Sequence, residues 1–194
     1  MGRIGRFVRS ITTGLGHLRV RRMLIAFVAV PLFMPAGEAQ SLTEGEVKAV
    51  GLYNFAKFVE WPPEALPTSD APIVIGVLGN DPLASDVERI VRGKTANGRS
   101  LVVKRFRKAS DFQYCHILFV GEQAKSDFPR LLAGLRNTSV LTVSESDRFT
   151  RSGGIVNISF RDNRLLLEVN QSAAERAGLK INSKLLKVAR VVRD

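Results

Sequence analysis

A continuous apolar run at residues 73–78 constrains the fold more than any other feature of the chain. Its sequence is Ile-Val-Ile-Gly-Val-Leu, without the polar alternation of a strand that has one face in water. Strands that are buried on both faces belong mainly to parallel sheets covered by helices. The run therefore predicts a fully buried strand of an α/β domain.

Strand and helix patterns alternate along the chain around this run. The other predicted strands cover residues 101–106, 116–121 and 140–144, and the predicted helices cover residues 43–59, 83–92 and 123–136. This alternation predicts an α/β fold with an open, mostly parallel sheet flanked by helices. Apolar strands at residues 155–161 and 164–169 flank Asp162-Asn163, which predicts an antiparallel hairpin near the C-terminus.

The helix boundaries follow from capping patterns. Thr43 and Glu46 form a Thr-x-x-Glu capping box for the first helix, and Ser172 and Glu175 suggest another for a short helix over residues 171–177. A last helix is expected to begin near Asn182 or Ser183. The side chains that these helices are expected to bury are Val47, Val50, Leu52, Asn54, Phe55, Phe58, Val59, Phe128, Leu131, Leu132, Leu135, Leu185, Leu186, Ala189 and Val192.

The N-terminus has the pattern of an export signal. Six arginines precede an apolar stretch at residues 23–34, and Gly37 and Ala39 supply the small side chains of a cleavage site before Gln40. A transmembrane helix needs about 20 apolar residues, so this stretch is short for a membrane span. We expect a cleaved signal peptide over residues 1–39 and a single domain over residues 40–194 in the periplasm, with an uncleaved N-terminal anchor as the alternative.

Charge and composition restrict the choice of partner. Residues 40–194 contain 23 Lys and Arg and 17 Asp and Glu, a net charge of +6 that looks spread along the chain. Such a balance suits an acidic partner or anionic lipid head groups. No DNA- or RNA-binding motif accompanies it, and export argues further against nucleic acid.

The chemical inventory argues against catalysis. Cys115 is the only cysteine and His116 the only histidine after the leader, so an intramolecular disulfide is impossible and a Cys/His zinc site is disfavoured. Successive strand residues point to opposite faces, so the two are expected to be buried structural residues rather than a nucleophile and its base. Complete phosphate-loop and dinucleotide motifs are missing, and we expect no cofactor, no metal and no enzymatic activity. An enzyme that uses carboxylates alone stays a weaker alternative.

Three sets of residues are candidates for binding. Asn80 and Asp81 precede a helix whose N-terminal amides could hold an anion, although Asp81 would oppose a phosphate. Phe58 and Trp61 could anchor a protein partner or complete the core. A basic stripe on the last helix could contact a partner or be a solvated face; it comprises Lys184, Lys187 and Arg190.

Five blocks of the chain resemble the YfiR family. The blocks lie at residues 48–62 (KAVGLYNFAKFVEWP), 75–82 (IGVLGNDP), 115–120 (CHILFV), 153–155 (GGI) and 170–187 (NQSAAERAGLKINSKLLK). They span nearly all of the predicted mature chain, and the first and last are long and specific.

The resemblance implies a function that composition does not. YfiR-like proteins are periplasmic repressors that bind the sensor region of a membrane-bound diguanylate cyclase, and they thereby lower cyclic di-GMP and biofilm formation. The resemblance also implies a compact α/β domain that can form a homodimer. Relatives with several cysteines are stabilised by disulfides, but Cys115 has no partner within this chain, which leaves a free thiol or an intermolecular disulfide.

Two functional hypotheses follow. The first is a repressor that docks on the periplasmic domain of a diguanylate cyclase. The second is a periplasmic small-ligand binding module that uses Asn80 and Asp81, because open α/β sheets bind ligands at the carboxyl ends of their strands.

Overall fold

The computed structural model describes residues 42–135, 138–162 and 164–193. The predicted signal peptide over residues 1–39 lies outside the described residues, as does Asn163 of the predicted hairpin turn.

The described residues form one large mixed sheet and a two-stranded ribbon. The strands are β1 (Val59–Glu60), β2 (Ile73–Leu78), β3 (Thr95–Ala96), β4 (Arg99–Phe106), β5 (Ile117–Val120), β6 (Leu141–Ser144), β7 (Val156–Arg161), β8 (Arg164–Asn170), β9 (Lys180–Ile181) and β10 (Ala189–Val192). The order in the large sheet is β10-β8-β7-β6-β5-β2-β4-β3, and β1 pairs with β9 to form the ribbon. The predicted fold class is confirmed.

The centre of the large sheet is parallel. β2 lies between β4 and β5, with Ile75 opposite Val103 on one side and opposite Ile117 on the other. β6 and β7 extend the parallel part, and β8 returns antiparallel to β7, which confirms the predicted hairpin. The run at residues 73–78 is almost entirely buried, because helices cover both faces of the sheet.

Five α-helices are described, and they pack on the sheet in two separate core clusters. The helices are α1 (Glu44–Phe58), α2 (Leu83–Val91), α3 (Phe128–Leu135), α4 (Gln171–Arg176) and α5 (Ser183–Leu186). All except α3 pack into one cluster, with Ile75, Phe119 and Val143 of the sheet. α3 packs into the other, with Leu118 and Val120. The alternation of side chains along each strand thus supplies a separate core to each face.

The first helix begins as predicted, but its buried face is rotated from the predicted stripe. Thr43 and Glu46 form the expected capping box. Of the predicted inward side chains, Leu52, Phe55 and Val59 are buried, and Val47, Val50, Asn54 and Phe58 are only partly covered. The small residues Ala49, Gly51 and Ala56 are buried instead, because they let the helix approach the sheet closely.

The segment predicted as a helix over residues 123–136 forms two helices of different pitch. A 3-10 helix over Glu122–Asp127 leads into α3. Pro129 lies in the first turn of α3, where its missing N–H costs no helical hydrogen bond. Phe128, Leu131 and Leu135 point inward as expected, and Leu132 is partly buried.

The C-terminal segment departs most from expectation. α5 ends at Leu186, and Ala189–Val192 forms β10, which pairs in parallel with β8. Leu185 is buried as predicted, whereas Leu186, Ala189 and Val192 are only partly covered. The predicted long last helix is wrong because residues 189–192, which include the β-branched Val191 and Val192, pair with the free edge of β8 and so satisfy their backbone groups.

The predicted capping box at Ser172 and Glu175 is also wrong. The side-chain oxygen of Asn170 accepts a hydrogen bond from the N–H of Ala173 at 2.9 Å, so Asn170 caps α4. Its side-chain amide donates to the carbonyl of Thr150 at 3.0 Å, which ties this cap to the loop before β7.

Candidate partner-binding surface

Trp61 lies beside the start of β5 and is partly buried. Its Nε1–H donates a hydrogen bond to the carbonyl of His116 at 3.3 Å, and the two rings meet edge to face with centroids 5.8 Å apart. The indole also packs against the larger core cluster. Trp61 is therefore a structural residue with a partly exposed ring, and its role as a partner anchor stays a prediction.

The ribbon of β1 and β9 places Phe58 next to α5. The N–H of Asn182 donates to the carbonyl of Phe58 at 2.9 Å, immediately after β9. The side-chain oxygen of Asn182 accepts from the N–H of Lys184 at 2.9 Å and so caps α5, in line with the predicted start of that helix. Phe58 is half-buried at this junction.

The basic residues at the C-terminus do not form one stripe. Lys184 and Lys187 are exposed on α5 and at its end, and α5 packs on the α1 side of the sheet through Leu185. Arg190 lies on β10, with its guanidinium 3.4 Å from Glu168. The predicted stripe of three is wrong, because the change from helix to strand alters the spacing at which side chains share a face.

Glu168 and Arg190 point to the sheet face opposite α1. Their strand neighbours Leu167 and Ala189 pack against the α1 side, so the intervening residues face the other way. Glu168 also accepts a hydrogen bond from the hydroxyl of Thr150. Arg190 is therefore separated by the sheet from the two lysines.

Sequence reasoning missed exposed apolar residues at the same end of the chain. Val188 is 71% exposed and Val191 is 39% exposed, and both follow Lys187 closely. We define the C-terminal surface as Lys184, Lys187, Val188 and Val191. The signal that could have revealed it is the β-branched content of residues 188–192, which favours a strand over a helix.

Asn80 and Asp81 lie at the carboxyl ends of β2 and β5, as the ligand hypothesis requires. The chain passes from β4 on one side of β2 to β5 on its other side, so a crevice opens between β2 and β5 at this switch in strand order. The cavity there has a volume of only about 110 Å³ and is also lined by Gly121 and Glu122. Asp81 Oδ1 already accepts from the N–H of Leu83 at 2.9 Å, so its carboxylate serves as a cap for α2.

A larger cavity, of about 470 Å³, lies between α3 and α4. Its lining combines apolar and hydroxyl-bearing side chains, among them Leu135, Val140, Ile155, Thr138 and Ser152. Pockets of this size and character suit small molecules with an apolar body. The sequence offered no signal for it, because its walls come from four separate segments.

Cys115 is buried in the core cluster on the α3 side. Burial raises the pKa of its thiol to about 12, against the weaker opposing effects of the Gly76 backbone and Lys104. A thiol with this pKa carries almost no thiolate at neutral pH and is a poor nucleophile. The expectation that Cys115 is a structural residue agrees with this environment.

His116 is buried directly before β5, which begins at Ile117, so the strand expected to start at residue 116 begins one residue later. The N–H of Val74 donates to its Nδ1 at 3.0 Å, so Nε2 carries the proton and donates to the carbonyl of Ala65 at 2.9 Å. Burial lowers the pKa of the imidazole, which the nearby charge of Arg99 also lowers. His116 is therefore a neutral residue that joins the 62–72 linker to the sheet.

The described residues contain no cluster of three or more His, Cys, Asp or Glu side chains that could hold a metal ion. In the same ranges, no helix has both the length and the hydrophobicity that crossing a bilayer requires.

Comparison with known proteins supports the resemblance noted from the sequence. The profile of a family described as YfiR/HmsC-like matches residues 45–190, which is more than half of the chain. No curated protein sequence matches this chain.

Among solved structures, a conserved domain protein from Vibrio cholerae O1 biovar El Tor is similar with a TM-score of 0.46 and 16% identity. The alignment covers 79% of this chain and 61% of the Vibrio chain. The family assignment depends on the profile match alone. Members of the YfiR/HmsC-like family are periplasmic regulators of diguanylate cyclase signalling, and the family is not a known family of enzymes. The chain therefore belongs to the YfiR/HmsC-like family.

Proposed function

We propose that this protein is a periplasmic repressor that binds the sensor region of an inner-membrane diguanylate cyclase and lowers cyclic di-GMP and biofilm formation. The family match over residues 45–190 carries this proposal. The buried, protonated Cys115 and the hydrogen-bonded His116 support a binding protein rather than an enzyme, because neither side chain is available for chemistry.

The C-terminal surface is the docking site that we favour for the cyclase. Exposed apolar side chains surrounded by charge are typical of the centres of protein interfaces. Val188 supplies the apolar centre, and Lys184 and Lys187 supply positive charge beside it. Phe58 adjoins this surface through Asn182, whereas Trp61 and Arg190 are secondary candidates.

Binding to the cyclase is tested with its isolated periplasmic domain. We expect Val188→Asp to weaken binding by about tenfold or more, because it places a charge at the centre of the interface. Leu42→Asp is the matched control, since Leu42 is also an exposed apolar residue and lies before α1. Unchanged cyclic di-GMP after deletion of the gene, or equal loss of binding in both variants, would contradict the proposal.

Export is the first requirement of this function. We propose that cleavage after Ala39 leaves Gln40 as the N-terminal residue. Intact-mass measurement on the protein from a periplasmic fraction tests this directly. A mass that includes residues 1–39 would favour the uncleaved anchor.

Self-association is a further part of the proposal. Members of the family can dimerise, and we propose that this chain forms a homodimer. Sedimentation velocity over a range of concentrations measures the state in solution, and a monomer at every concentration would contradict it.

A small-ligand binding module is the second candidate function. The cavity of about 470 Å³ between α3 and α4 favours it more than the crevice at Asn80 and Asp81 does, because the latter holds only about 110 Å³. A thermal-shift screen against metabolites tests it. Strong stabilisation by one compound, with no effect of the cyclase domain, would favour this candidate over the first.

A further inference from the structure

The positive charge of the domain is concentrated in one segment. Residues 92–108 contain seven basic residues and no acidic residue, whereas the rest of residues 40–194 contains 16 basic and 17 acidic residues. The segment therefore carries a net charge of +7 and the remainder −1, so the expectation of an even spread is wrong. The seven are Arg92, Lys94, Arg99, Lys104, Arg105, Arg107 and Lys108.

This segment forms one edge of the large sheet. β3 and β4 are joined by a tight turn at Asn97 and Gly98, both of which have positive φ. β3 pairs only with Arg99 and Ser100. Beyond Ser100, β4 has β2 on one side and, within the described ranges, no strand on the other.

The register of β2 and β4 shows which backbone groups face outward. The N–H of Gly79 donates to the carbonyl of Phe106 at 2.9 Å, so Phe106 directs its backbone groups toward β2. Backbone direction alternates along a strand, so Leu101, Val103 and Arg105 direct their N–H and C=O groups away from β2. The pairing of Thr95 with Ser100 uses the N–H of Leu101 in the β3 ladder, which leaves Val103 and Arg105 at the open edge. This edge can therefore hydrogen-bond to an added strand.

The side chains beside this edge are mainly cationic. Arg105 is neutralised by Glu88, with both nitrogen-to-oxygen distances 2.9 Å. Arg107 and Lys108 are exposed at the end of β4, and Val102 adds an apolar side chain that is 40% exposed.

The acidic groups that face this segment are few. Glu88 of α2 also lies near Arg92, and Asp70 lies near Arg99. Asp111 follows in the next turn. Three carboxylates against seven cations leave the edge strongly positive.

We infer that the β4 edge binds an extended, acidic segment of a partner protein as an additional strand. The backbone groups of Val103 and Arg105 supply the ladder, and the surrounding cations select for carboxylates. Pairing of two copies at this edge would bring like charges together, so the charge disfavours self-association here. The identity of the partner as the cyclase rests on the proposed function, whereas the chemistry of the edge does not.

A synthetic peptide tests the edge without the cyclase. The probe is a ten-residue peptide of alternating Glu and Val, and its control has Pro at every second position, which removes the N–H groups needed for the ladder. We expect the probe, but not its control, to slow amide exchange at Val103 and Arg105. Absence of this protection overturns the inference.

Charge reversal at the β4 edge provides a second test of the inference. We expect Arg107→Glu with Lys108→Glu to weaken binding of the peptide by about tenfold. The matched control is Arg161→Glu with Arg164→Glu, which makes the same change at the exposed β7–β8 hairpin and is expected to alter affinity less than about twofold. Equal effects of the two double variants would overturn the inference.

A membrane surface is tested as the competing target of this charge. Binding to vesicles that contain phosphatidylglycerol, without protection of the Val103 and Arg105 amides by the peptide, would overturn the inference in favour of lipid. If the cyclase domain binds while the peptide protects nothing, the inference fails and the proposed function stands. If the peptide binds and the cyclase domain does not, the proposed function fails alone.

Discussion

Cys115 and His116 are adjacent in sequence but belong to different environments. Both residues precede β5; Cys115 Sγ lies in the α3-side core, whereas the His116 ring is hydrogen-bonded to the backbone at Val74 and Ala65. A nucleophile and its base must lie within hydrogen-bond distance of each other. Both ring nitrogens of His116 are already engaged by backbone groups, so the imidazole is not available as a base for the Cys115 thiol.

The Cys115 thiol is expected to be unreactive in the folded protein. A rise in pKa from 9.0 to about 12 lowers the thiolate fraction near pH 8 by roughly a thousandfold. We therefore expect a disulfide reagent to label native Cys115 much more slowly than the denatured chain. Rapid labelling of the native protein would contradict this expectation and would support the alternative that Cys115 forms an intermolecular disulfide.

His116 is expected to make stability depend on pH. Its pKa in the fold is lower than in the unfolded chain, so folding favours the neutral ring. The contribution of the neutral ring is fully present above the unfolded pKa of about 6.5 and is lost as the pH falls toward the folded pKa. Urea unfolding at about pH 7 and about pH 5 measures this.

The control for this pH dependence is His116→Asn. The carboxylates titrate in both proteins, so the difference between them isolates the imidazole. We expect the free energy of unfolding to fall less between the two pH values in the variant. An equal fall in both proteins would exclude His116 as the source.

At the scale of elements, β2 and α4 show how close contacts determine which residues are tolerated. A Cβ added at Gly76 of β2 would lie 2.7 Å from Phe106 Cε2 and 2.8 Å from Cys115 Sγ. Asn170 joins the end of β8 to α4 and to the loop at Thr150. In both cases the constraint comes from a residue distant in sequence.

Gly76→Ala is expected to destabilise the protein by about 1–3 kcal/mol, because the added methyl group overfills the core. Gly134→Ala is the matched comparison. Gly134 lies exposed on α3 with no heavy atom within 4 Å of an added Cβ. The Gly134→Ala substitution is expected to stabilise the protein by about 0.5–1 kcal/mol, because alanine has a higher helix propensity than glycine. Chemical denaturation measures both, and effects of the same sign would refute the packing argument.

Asn170→Ala is expected to cost about 1–2 kcal/mol, because it removes the cap of α4. Ser172→Ala is the control that separates the two capping assignments, and its expected effect is within about 0.5 kcal/mol. A larger loss from Ser172→Ala than from Asn170→Ala in thermal or urea unfolding would restore the capping box expected from the sequence.

The whole molecule is asymmetric in charge and in the covering of its sheet edges. The β3–β4 edge carries the positive charge, and the β10 edge carries exposed Val188 and Val191. In the part of the chain that the structure describes, these two edges are the opposite edges of the eight-stranded sheet. A partner strand on the β4 edge and a partner surface on the C-terminal surface would therefore be bound at opposite ends of the sheet.

Association with the cyclase domain is expected to slow as salt rises, by roughly tenfold between about 50 and about 500 mM NaCl, because salt screens steering by the basic edge. Stopped-flow or surface-binding kinetics measure this rate. Arg107→Glu with Lys108→Glu should flatten the salt dependence, and an unchanged dependence would show that the steering charge lies elsewhere.

Local patterns determined much of this protein in advance. The apolar run at residues 73–78, the capping box at Thr43 and the hairpin around Asp162 each depend on neighbouring residues, so periodicity and turn chemistry sufficed to predict them. The YfiR-like blocks likewise indicated the family without coordinates.

Only the tertiary structure decided the features that depend on distant partners. β10 forms because β8 offers a free edge, and this strand separates Arg190 from Lys184 and Lys187. The buried face of α1 differs from the predicted stripe because small residues let the helix approach the sheet more closely. The basic β4 edge was visible as charge in the sequence but not as an open ladder. The hydrogen-bonding groups of a strand stay open only where no other strand pairs with it. Whether a strand pairs there depends on the order of strands in the whole sheet and not on any local run of residues.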